Sequence, residues 1–328
     1  VYGVRPVGSP TMHDAGAKLE YKKLVESLWG EEDIPQGSHN YGRGTVYWGM
    51  PLSEAVTSAG LVPDVEWPGH RKFYYAHRVL ADGELYFLDN HEDTPLEHTF
   101  TFRCSGKTIE LWNPVTGERF KLHGTPTVDG RMKVAVRMAP RESFFIVFSE
   151  KASGNLPWKD WNSREEAVPI QGEWTVDFAA GMGGPGKVVF PELVDWTTHK
   201  DERIKYYSGT AVYHQTFSVT DNSMPDNKHF LLRFNKLGAV ARAWLNGNEV
   251  GTVWCSPWEI DITRFLKTGE NELKIEVANS LMNRMIGDSM LPENERFTYS
   301  ATPVATPKDT LVASGIIGPV WIVKRAGF

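Results

Sequence analysis

Six side chains have the chemistry of a site for a polyhydroxylated ligand such as a sugar. Flat aromatic rings pack against the C–H face of a pyranose, and planar amide, guanidinium or carboxylate groups pair with neighbouring hydroxyl groups. Two tryptophans flank a bend at Pro257, three polar residues follow a predicted strand, and a tyrosine precedes another. The candidate carbohydrate-binding residues are Tyr207, Trp254, Trp258, Asn283, Arg284 and Asp288.

The same residues also suit a structural role. Arg284 and Asp288 could form an internal ion pair that locks a loop, because buried ion pairs often serve structure. Trp254 could fill the core of a β-sandwich, since such cores use tryptophan heavily. The sequence leaves both interpretations open.

Hydrolysis of a glycosidic bond would require two carboxylates across a sugar-sized gap. Such pairs usually lie on a barrel of about 250 residues with alternating strands and helices, and that alternation is absent after residue 66. The acidic residues of polar loops are expected to be solvated. These are Glu92, Asp93, Asp195, Glu293 and Glu295. We therefore predict no catalytic residue, and we do not expect this chain alone to be an enzyme.

Composition narrows the possible partners. The 328 residues carry a net charge of −6, which does not favour binding to nucleic acid or to an anionic membrane. Neither of the two cysteines belongs to a zinc motif, so we predict no metal-binding residues and no cofactor. A structural calcium ion held by loop oxygens is an open alternative, with Asp195, Asp261 and Asp288 as its candidate ligands. Most of the 12 tryptophans are expected in the core.

The most informative stretch runs from residue 237 to 288. Asn246-Gly247 between two alternating runs predicts a β-hairpin, because both turn positions need a positive φ. Further strands are predicted at 174–178, 211–219, 229–234, 272–277 and 315–324, with a short helix beginning near Thr263. Antiparallel strands with long connections indicate a jelly roll.

The preceding residues fall into two further regions. Apolar residues at helical spacing predict a helix from a cap at Ser9 or Asp14 to Gly30, with Ala17, Tyr21, Leu24, Val25 and Leu28 on one face. A strand at 44–48 and a helix from Pro51 to Gly60, with Leu52, Ala55, Val56 and Ala59 inward, complete an α/β region. Period-two strands with turns between them follow from residue 72 and indicate a β-sandwich. Residues 153–169 are predicted to be a linker.

The motifs together resemble a known family. The order NG, VGTVW, SPWEIDIT, LKTGENELKIEVAN and NRMIGD is similar to the sugar-binding jelly roll of glycoside hydrolases, above all family 106, the α-L-rhamnosidase type. Family 2 glycosidases carry a looser version. SPTMHDAG, LVESLWG, GTVYWGMPLSEAV and HRVLADGELYFLDN also resemble family 106 segments. The resemblance implies that catalytic residues lie in a barrel upstream of this region.

The expected fold is mainly β, with two β-sandwich domains, the last a galactose-binding-like jelly roll, preceded by a short α/β remnant. The predicted boundaries are 1–66, 72–150 and 168–328. The resemblance implies a non-catalytic C-terminal portion of a polysaccharide-degrading enzyme, with the catalytic barrel and oligo- or polysaccharide as partners. The alternatives are an autonomous carbohydrate-binding module or an ancillary region of a family 2 enzyme. The chain opens on Val1 in mid-pattern without a signal peptide, which suggests a piece of a longer protein. A periplasmic or secreted location is inferred from the resemblance alone.

Overall fold

The computed structural model describes residues 1–9, 15–31, 34–69, 73–104, 108–151, 154–220 and 228–326. The mainly β class is confirmed, because the described residues form several antiparallel sheets and only short or isolated helices. The chain divides into two compact units. Unit 1 comprises Val1–Trp67, Phe100–Ser105 and Pro126–Lys133, and unit 2 comprises Pro68–Thr99, Gly106–Thr125 and Val134–Phe328.

Unit 1 contains two helices and a hairpin. Its elements are α1 (Ala15–Trp29), β1 (Gly37–Tyr41), β2 (Gly44–Trp48), α2 (Leu52–Ser58) and β3 (Val65–Glu66). The predicted strand at 44–48 is confirmed, and it pairs with β1, a strand that was not predicted. Only Val25 of α1 and Ala55 of α2 are buried. Leu52, Val56 and Ala59 are exposed, so three of the four inward assignments in the second helix were wrong, and Leu24 of α1 is exposed as well. Of the two proposed caps, Ser9 lies outside any described helix, and Asp14 lies outside the described residues.

The first sandwich contributes most of the strands between residues 73 and 149. These are β4 (Phe73–Leu80), β5 (Gly83–Asn90), β6 (Leu96–Phe102), β7 (Thr108–Trp112), β8 (Arg119–Lys121), β9 (Gly124–Pro126), β10 (Met132–Met138) and β11 (Ser143–Ser149). One sheet has the order β4-β5-β11-β7-β8 and is antiparallel throughout. A second has the order β3-β6-β10-β9. Alternate residues such as Tyr86, Leu88 and Ile146 are fully buried, as the period of two predicts.

The jelly roll packs a six-stranded sheet on a four-stranded sheet. Its strands are β12 (Glu165–Pro169), β13 (Trp174–Phe178), β14 (Gly186–Phe190), β15 (Thr210–Val219), β16 (Lys228–Leu237), β17 (Val240–Leu245), β18 (Asn248–Val253), β19 (Glu259–Asp261), β20 (Gly269–Ala278) and β21 (Ile316–Ala326). The orders are β14-β13-β15-β20-β17-β18 and β12-β21-β16-β19. Helices α3 (Glu202–Lys205) and α4 (Met282–Asp288) lie in the connections.

The jelly-roll core is continuous between the two sheets. Val176, Tyr213 and Ile275 of the larger sheet and Leu232 and Val320 of the smaller one belong to the same buried cluster. The predicted hairpin is confirmed, since Asn246 and Gly247 have φ values of 52° and 79° between β17 and β18. The side chain of Asn246 also donates to the Phe265 carbonyl at 3.0 Å, which ties the hairpin to the next turn.

Two local predictions in the jelly-roll region were wrong, and one helix was not predicted. The segment 153–169 is not only a linker, because its last five residues form β12 and pair with β21. Thr263 begins a turn rather than a helix, with Phe265 N and Leu266 N both donating to the Ile262 carbonyl. The segment before Asp288 was left unassigned and forms α4. The predicted boundaries at 66, 150 and 168 stay predictions, and residue 72 lies outside the described part of the chain.

The tryptophans are less buried than expected. Among the described residues, only Trp48, Trp174 and Trp196 belong to the buried core, whereas Trp158 and Trp254 are largely exposed. None of the helices in the described part of the chain has the length and apolar composition required to cross a bilayer.

The approach of Gly315 to the Trp196 indole generates a prediction about stability. Gly315 has a φ of +87°, and a Cβ at this position would overlap the Trp196 ring. We expect Gly315→Ala to lower the free energy of unfolding by roughly 1–2 kcal/mol for the left-handed backbone and by about 1–3 kcal/mol more for overpacking.

Gly247→Ala is the matched control. Gly247 has a similar φ of +79° but open space around its Cβ position, so only the backbone strain applies. Urea denaturation of both variants measures the difference. Equal losses of stability would show that the Trp196 contact does not constrain this position.

Candidate functional site

The predicted site residues lie along one edge of the six-stranded sheet. Ala278 at the end of β20 pairs with Thr210 of β15 and with Val240 of β17. Ala241 of β17 pairs with Val253, the last residue of β18. The segment after β18, the segment after β20 and the segment before β15 therefore all lie at the same edge of the sheet. Neighbouring strands are about 4.8 Å apart, so β18 and β20, with β17 between them, are roughly 10 Å apart.

Tyr207 is fully buried and acts as a connector. Its hydroxyl group donates to the Thr210 carbonyl at 2.9 Å and accepts from Ala179 N at 3.2 Å. Its ring packs edge-on against Phe178 and Trp196. Burial raises the pKa of the phenol. A fully buried tyrosine cannot act as an exposed platform for a sugar in this structure.

Asn283 is also fully buried, and its amide holds the long segment between α4 and β21. Its Nδ2 donates to the Val312 carbonyl at 2.7 Å and to Ser314 Oγ at 3.0 Å, and its Oδ1 accepts from Val312 N at 2.8 Å. Asn279 donates to the same Ser314 hydroxyl and to the Tyr207 carbonyl. These bonds connect α4, the segment before β21 and the residues before β15.

Arg284 and Asp288 lie one helical turn apart on α4 and are both buried. Arg284 Nη1 is 3.8 Å from Asp288 Oδ1, which is an ion pair without a hydrogen bond. The other carboxylate oxygen, Oδ2, accepts from Thr298 N and Thr298 Oγ1, both at 2.7 Å. Burial lowers the pKa of the Arg284 guanidinium, and the charge of Asp288 opposes this shift.

The guanidinium of Arg284 retains unused donors. Its Nε and Nη2 are buried and have no hydrogen-bond partner among the described residues. The Phe297 ring lies 4.8 Å from the guanidinium carbon and covers it. Phe297 and Thr298 thus cover this cluster, and the Asp288 carboxylate holds the segment after α4 through its two hydrogen bonds from Thr298. This is the structural alternative that the sequence left open.

Trp254 and Trp258 differ in their surroundings. Trp254 is 62% exposed and has no hydrogen bond or ring contact within the described part of the chain. Trp258 is half-buried, packs against the jelly-roll core and lines a cavity together with Pro257 and Arg233. The structure therefore brings Tyr207, Asn283, Arg284 and Asp288 into one cluster, and of the six predicted residues Trp254 has the most exposed ring.

The sequence analysis missed the residues that complete the cluster. Ser208 Oγ accepts from Arg284 N at 3.1 Å, and Thr298 and Ser314 provide the contacts described above. Each lies at least ten positions along the chain from its partner in α4, so no local pattern in the sequence indicates them. Residues 159–161 were likewise predicted only as part of a linker. They line a cavity different from the one that contains Trp258.

The three carboxylates proposed for calcium lie in different contacts. Asp195 Oδ1 accepts from Thr197 N and Ser314 N, and Asp261 Oδ1 accepts from Thr263 N. Asp288 is engaged with Arg284 and Thr298. The described residues contain no group of three or more histidine, cysteine, aspartate or glutamate side chains arranged for a metal. A calcium site at these positions stays a prediction.

Comparisons with known proteins were made against family models, characterised relatives and solved structures. Residues 1–123 match the family 106 glycoside hydrolase model, described as alpha-L-rhamnosidase. Residues 195–305 match the model of the glycosyl hydrolase 2 galactose-binding domain-like family. The rhamnosidase from Novosphingobium sp. PP1Y superposes on 98% of this chain with a TM-score of 0.76 and 30% identity. The resemblance to family 106 is confirmed.

Characterised sequences extend the relationship to family 2. A putative beta-glucuronidase of Formosa agariphila is 34% identical over 193 residues, which cover 52% of this chain and 17% of that protein. A beta-galactosidase of Clostridium acetobutylicum is 22% identical over 221 residues, which cover 66% of this chain and 20% of that protein. The chain also spans only 30% of the Novosphingobium rhamnosidase. It therefore corresponds to a minor part of each of these proteins.

The ion pair on α4 generates a second prediction. Asp288→Asn removes the negative charge while keeping the shape of the side chain, so Arg284 stays buried without a counter-ion. Removing one partner of a buried pair typically costs about 3–5 kcal/mol, and we expect a loss near the lower end in the free energy of unfolding.

Asp93→Asn provides the control for this experiment. Asp93 pairs with Arg141 at 2.8 Å, but its side chain is 84% exposed, and water screens such exposed pairs so that they contribute little to stability. Chemical denaturation of both variants gives the comparison. If Asp288→Asn is no more harmful than Asp93→Asn, the buried ion pair does not stabilise α4.

Proposed function

We propose that this chain is the non-catalytic C-terminal portion of a polysaccharide-degrading glycoside hydrolase of the α-L-rhamnosidase type. In this proposal it supports the catalytic barrel of the parent protein and contacts carbohydrate through the jelly roll. The parent enzyme would act in the periplasm or outside the cell, where polysaccharide is found. The main support is the superposition of nearly the whole chain on less than a third of a rhamnosidase.

The arrangement of the sheets supports a non-catalytic role. The strands of the five-stranded sheet and of both jelly-roll sheets are antiparallel, unlike the parallel strands of a barrel that carries paired carboxylates. The acidic residues considered for catalysis have other contacts. Asp93 pairs with Arg141, Asp195 caps a short 3₁₀ helix, and Glu293 and Glu295 lie in another short 3₁₀ helix at the surface.

The exposure of Trp254 supports direct contact with carbohydrate. Its ring is largely open to solvent and lies at the sheet edge that also carries α4. An aromatic ring held at the end of a strand offers a flat apolar surface to a sugar at little entropic cost, because its backbone is fixed by the sheet. Tyr207, Asn283, Arg284 and Asp288 would then act by holding this edge in place.

We expect the purified chain to release no nitrophenol above background from aryl α-L-rhamnosides. The physical reason is that the five acidic residues considered for catalysis do not converge on one cavity, since only Asp93 lines either cavity of unit 2 described below. The assay requires a catalytically active rhamnosidase as positive control. Sustained turnover that copurifies with the chain would contradict the proposed non-catalytic role.

Trp254→Ala is expected to weaken binding of rhamnosylated pectin fragments about tenfold, which corresponds to about 1.4 kcal/mol. Stability should change by no more than about 0.5 kcal/mol, because the side chain is exposed. Isothermal titration calorimetry measures binding. Trp158→Ala serves as the control, because Trp158 is also exposed, at 51%, and lies elsewhere in unit 2. Heat from the unaltered chain would support autonomous binding. An unchanged affinity of Trp254→Ala would refute a role for Trp254.

A further inference from the structure

A long groove lies in unit 2, between residues of the first sandwich and the bend that joins β18 to β19. It consists of two cavities with volumes of about 790 and 660 Å³. Both volumes are typical of ligand-binding clefts. The cavities form one continuous depression because they share the lining residues Pro95, Ala139, Arg233, Ser256, Pro257 and Glu259.

Each cavity contains one tryptophan. Trp161 lines the first cavity and Trp258 lines the second. The Trp161 carbonyl accepts from Arg137 Nη1 at 2.6 Å, and Trp258 packs against the jelly-roll core. Both rings are half-buried, so each is held by the protein and still contributes surface to the groove. Two separate aromatic surfaces along one depression are typical of a site for an extended chain of sugar rings.

Lys159 and Glu142 line the first cavity and do not form ion pairs within the described part of the chain. The Lys159 ammonium lies 4.6 Å from the centre of the Phe120 ring and 5.4 Å from that of Trp161. Glu142 Oε2 accepts from Ala139 N at 2.6 Å. Burial lowers the pKa of Lys159 and raises the pKa of Glu142, which indicates that both charged groups lack full solvation. Hydroxyl groups could satisfy both, because they donate to a carboxylate and accept from an ammonium.

Most of the other charges of the first cavity are paired with one another, including Arg137 with Glu97. Arg233 and Arg325 each contact both Glu165 and Glu259, which forms a network of four alternating charges. Over the whole groove, the described lining residues include six cationic side chains and six carboxylates. A lining without net charge gives no electrostatic attraction to a polyanion such as a uronic acid chain. The charge balance therefore favours a neutral ligand.

We propose that this groove binds a neutral oligosaccharide, with Trp161 and Trp258 stacking on sugar rings in its two cavities. Glu142 and Lys159 hydrogen-bond to hydroxyl groups of the sugar in the first cavity. The groove is separate from the surface of Trp254, which lines neither cavity. The two sites can therefore be tested independently, and failure at one leaves the other unaffected.

The test uses the 328-residue chain and ladders of neutral cello-, manno- and galacto-oligosaccharides of two to six units. Oligogalacturonates of the same lengths serve as the anionic counterpart. Tryptophan fluorescence and calorimetry report binding. We expect at least one neutral ladder to bind, with affinity rising with length until both cavities are filled, and we expect the anionic ladder to bind at least tenfold more weakly.

The variants locate the binding. Trp161→Ala and Glu142→Gln are each expected to weaken binding of the best neutral ligand about tenfold. Trp158→Ala, three residues from Trp161 and outside the groove, and Trp254→Ala should leave it unchanged. Glu142→Gln keeps the size of the side chain, so it remains informative if Trp161→Ala does not fold.

Three results would overturn the proposal. The first is that no neutral ladder binds at millimolar concentration. The second is that the anionic ladder binds more tightly than every neutral one. The third is that both groove variants bind as the unaltered chain does, because the sugar then occupies another surface. Loss of binding in Trp254→Ala alone would support the proposed function and reject the groove.

Discussion

The hydroxyl group of Tyr213 connects three parts of the jelly roll that are distant in sequence. Tyr213 lies fully buried on β15, and its oxygen accepts from Trp196 Nε1 at 2.7 Å and from Ile316 N at 3.3 Å. A buried polar group without partners would be costly, so these bonds fix the 3₁₀ turn at Trp196 and the start of β21 against the larger sheet. β21 is an inner strand of the smaller sheet, and its other end carries Arg325, which lines the groove.

The polar residues after β20 mainly contact other parts of the protein. The exposed ring of Trp254 is open to a ligand. Asn283 and Asp288 use their side chains to hold the residues between α4 and β21. Arg284 has buried donors that are covered by Phe297. Trp254, at the same sheet edge, has an open ring. An exposed aromatic ring beside side chains that are held by hydrogen bonds is the arrangement expected of a binding site on a rigid scaffold.

Much of the fold follows from patterns that span only a few residues. The Asn246-Gly247 turn and the period of two identify the jelly-roll hairpin, and alternating apolar residues identify most strands between residues 73 and 149. β12 was missed because its residues, Glu165 to Pro169, are mostly exposed and pair only after β21 is in place. Its strand character depends on a partner more than 150 residues away, which no local pattern reports.

The candidate site was less predictable than the fold. The sequence grouped Trp254 with Trp258 because both flank Pro257, but the bend exposes one ring and places the other against the core. Burial of Arg284 depends on Phe297 and Thr298, and the groove depends on residues from seven separate segments of the chain. The types of the predicted side chains indicated that they could bind a sugar. Their positions are set by packing between elements that are distant in sequence.

The connection between the first sandwich and the jelly roll is bonded at both of its ends. Lys121 of β8 exchanges backbone hydrogen bonds with Pro157 and Lys159 at 2.7 and 2.9 Å, and β12 then pairs with β21 along its whole length. These bonds hold both ends of the connection beside the groove before any ligand is bound. In the proposed site, a glycan chain would therefore be selected by its curvature and thickness, at little cost in ordering this part of the protein.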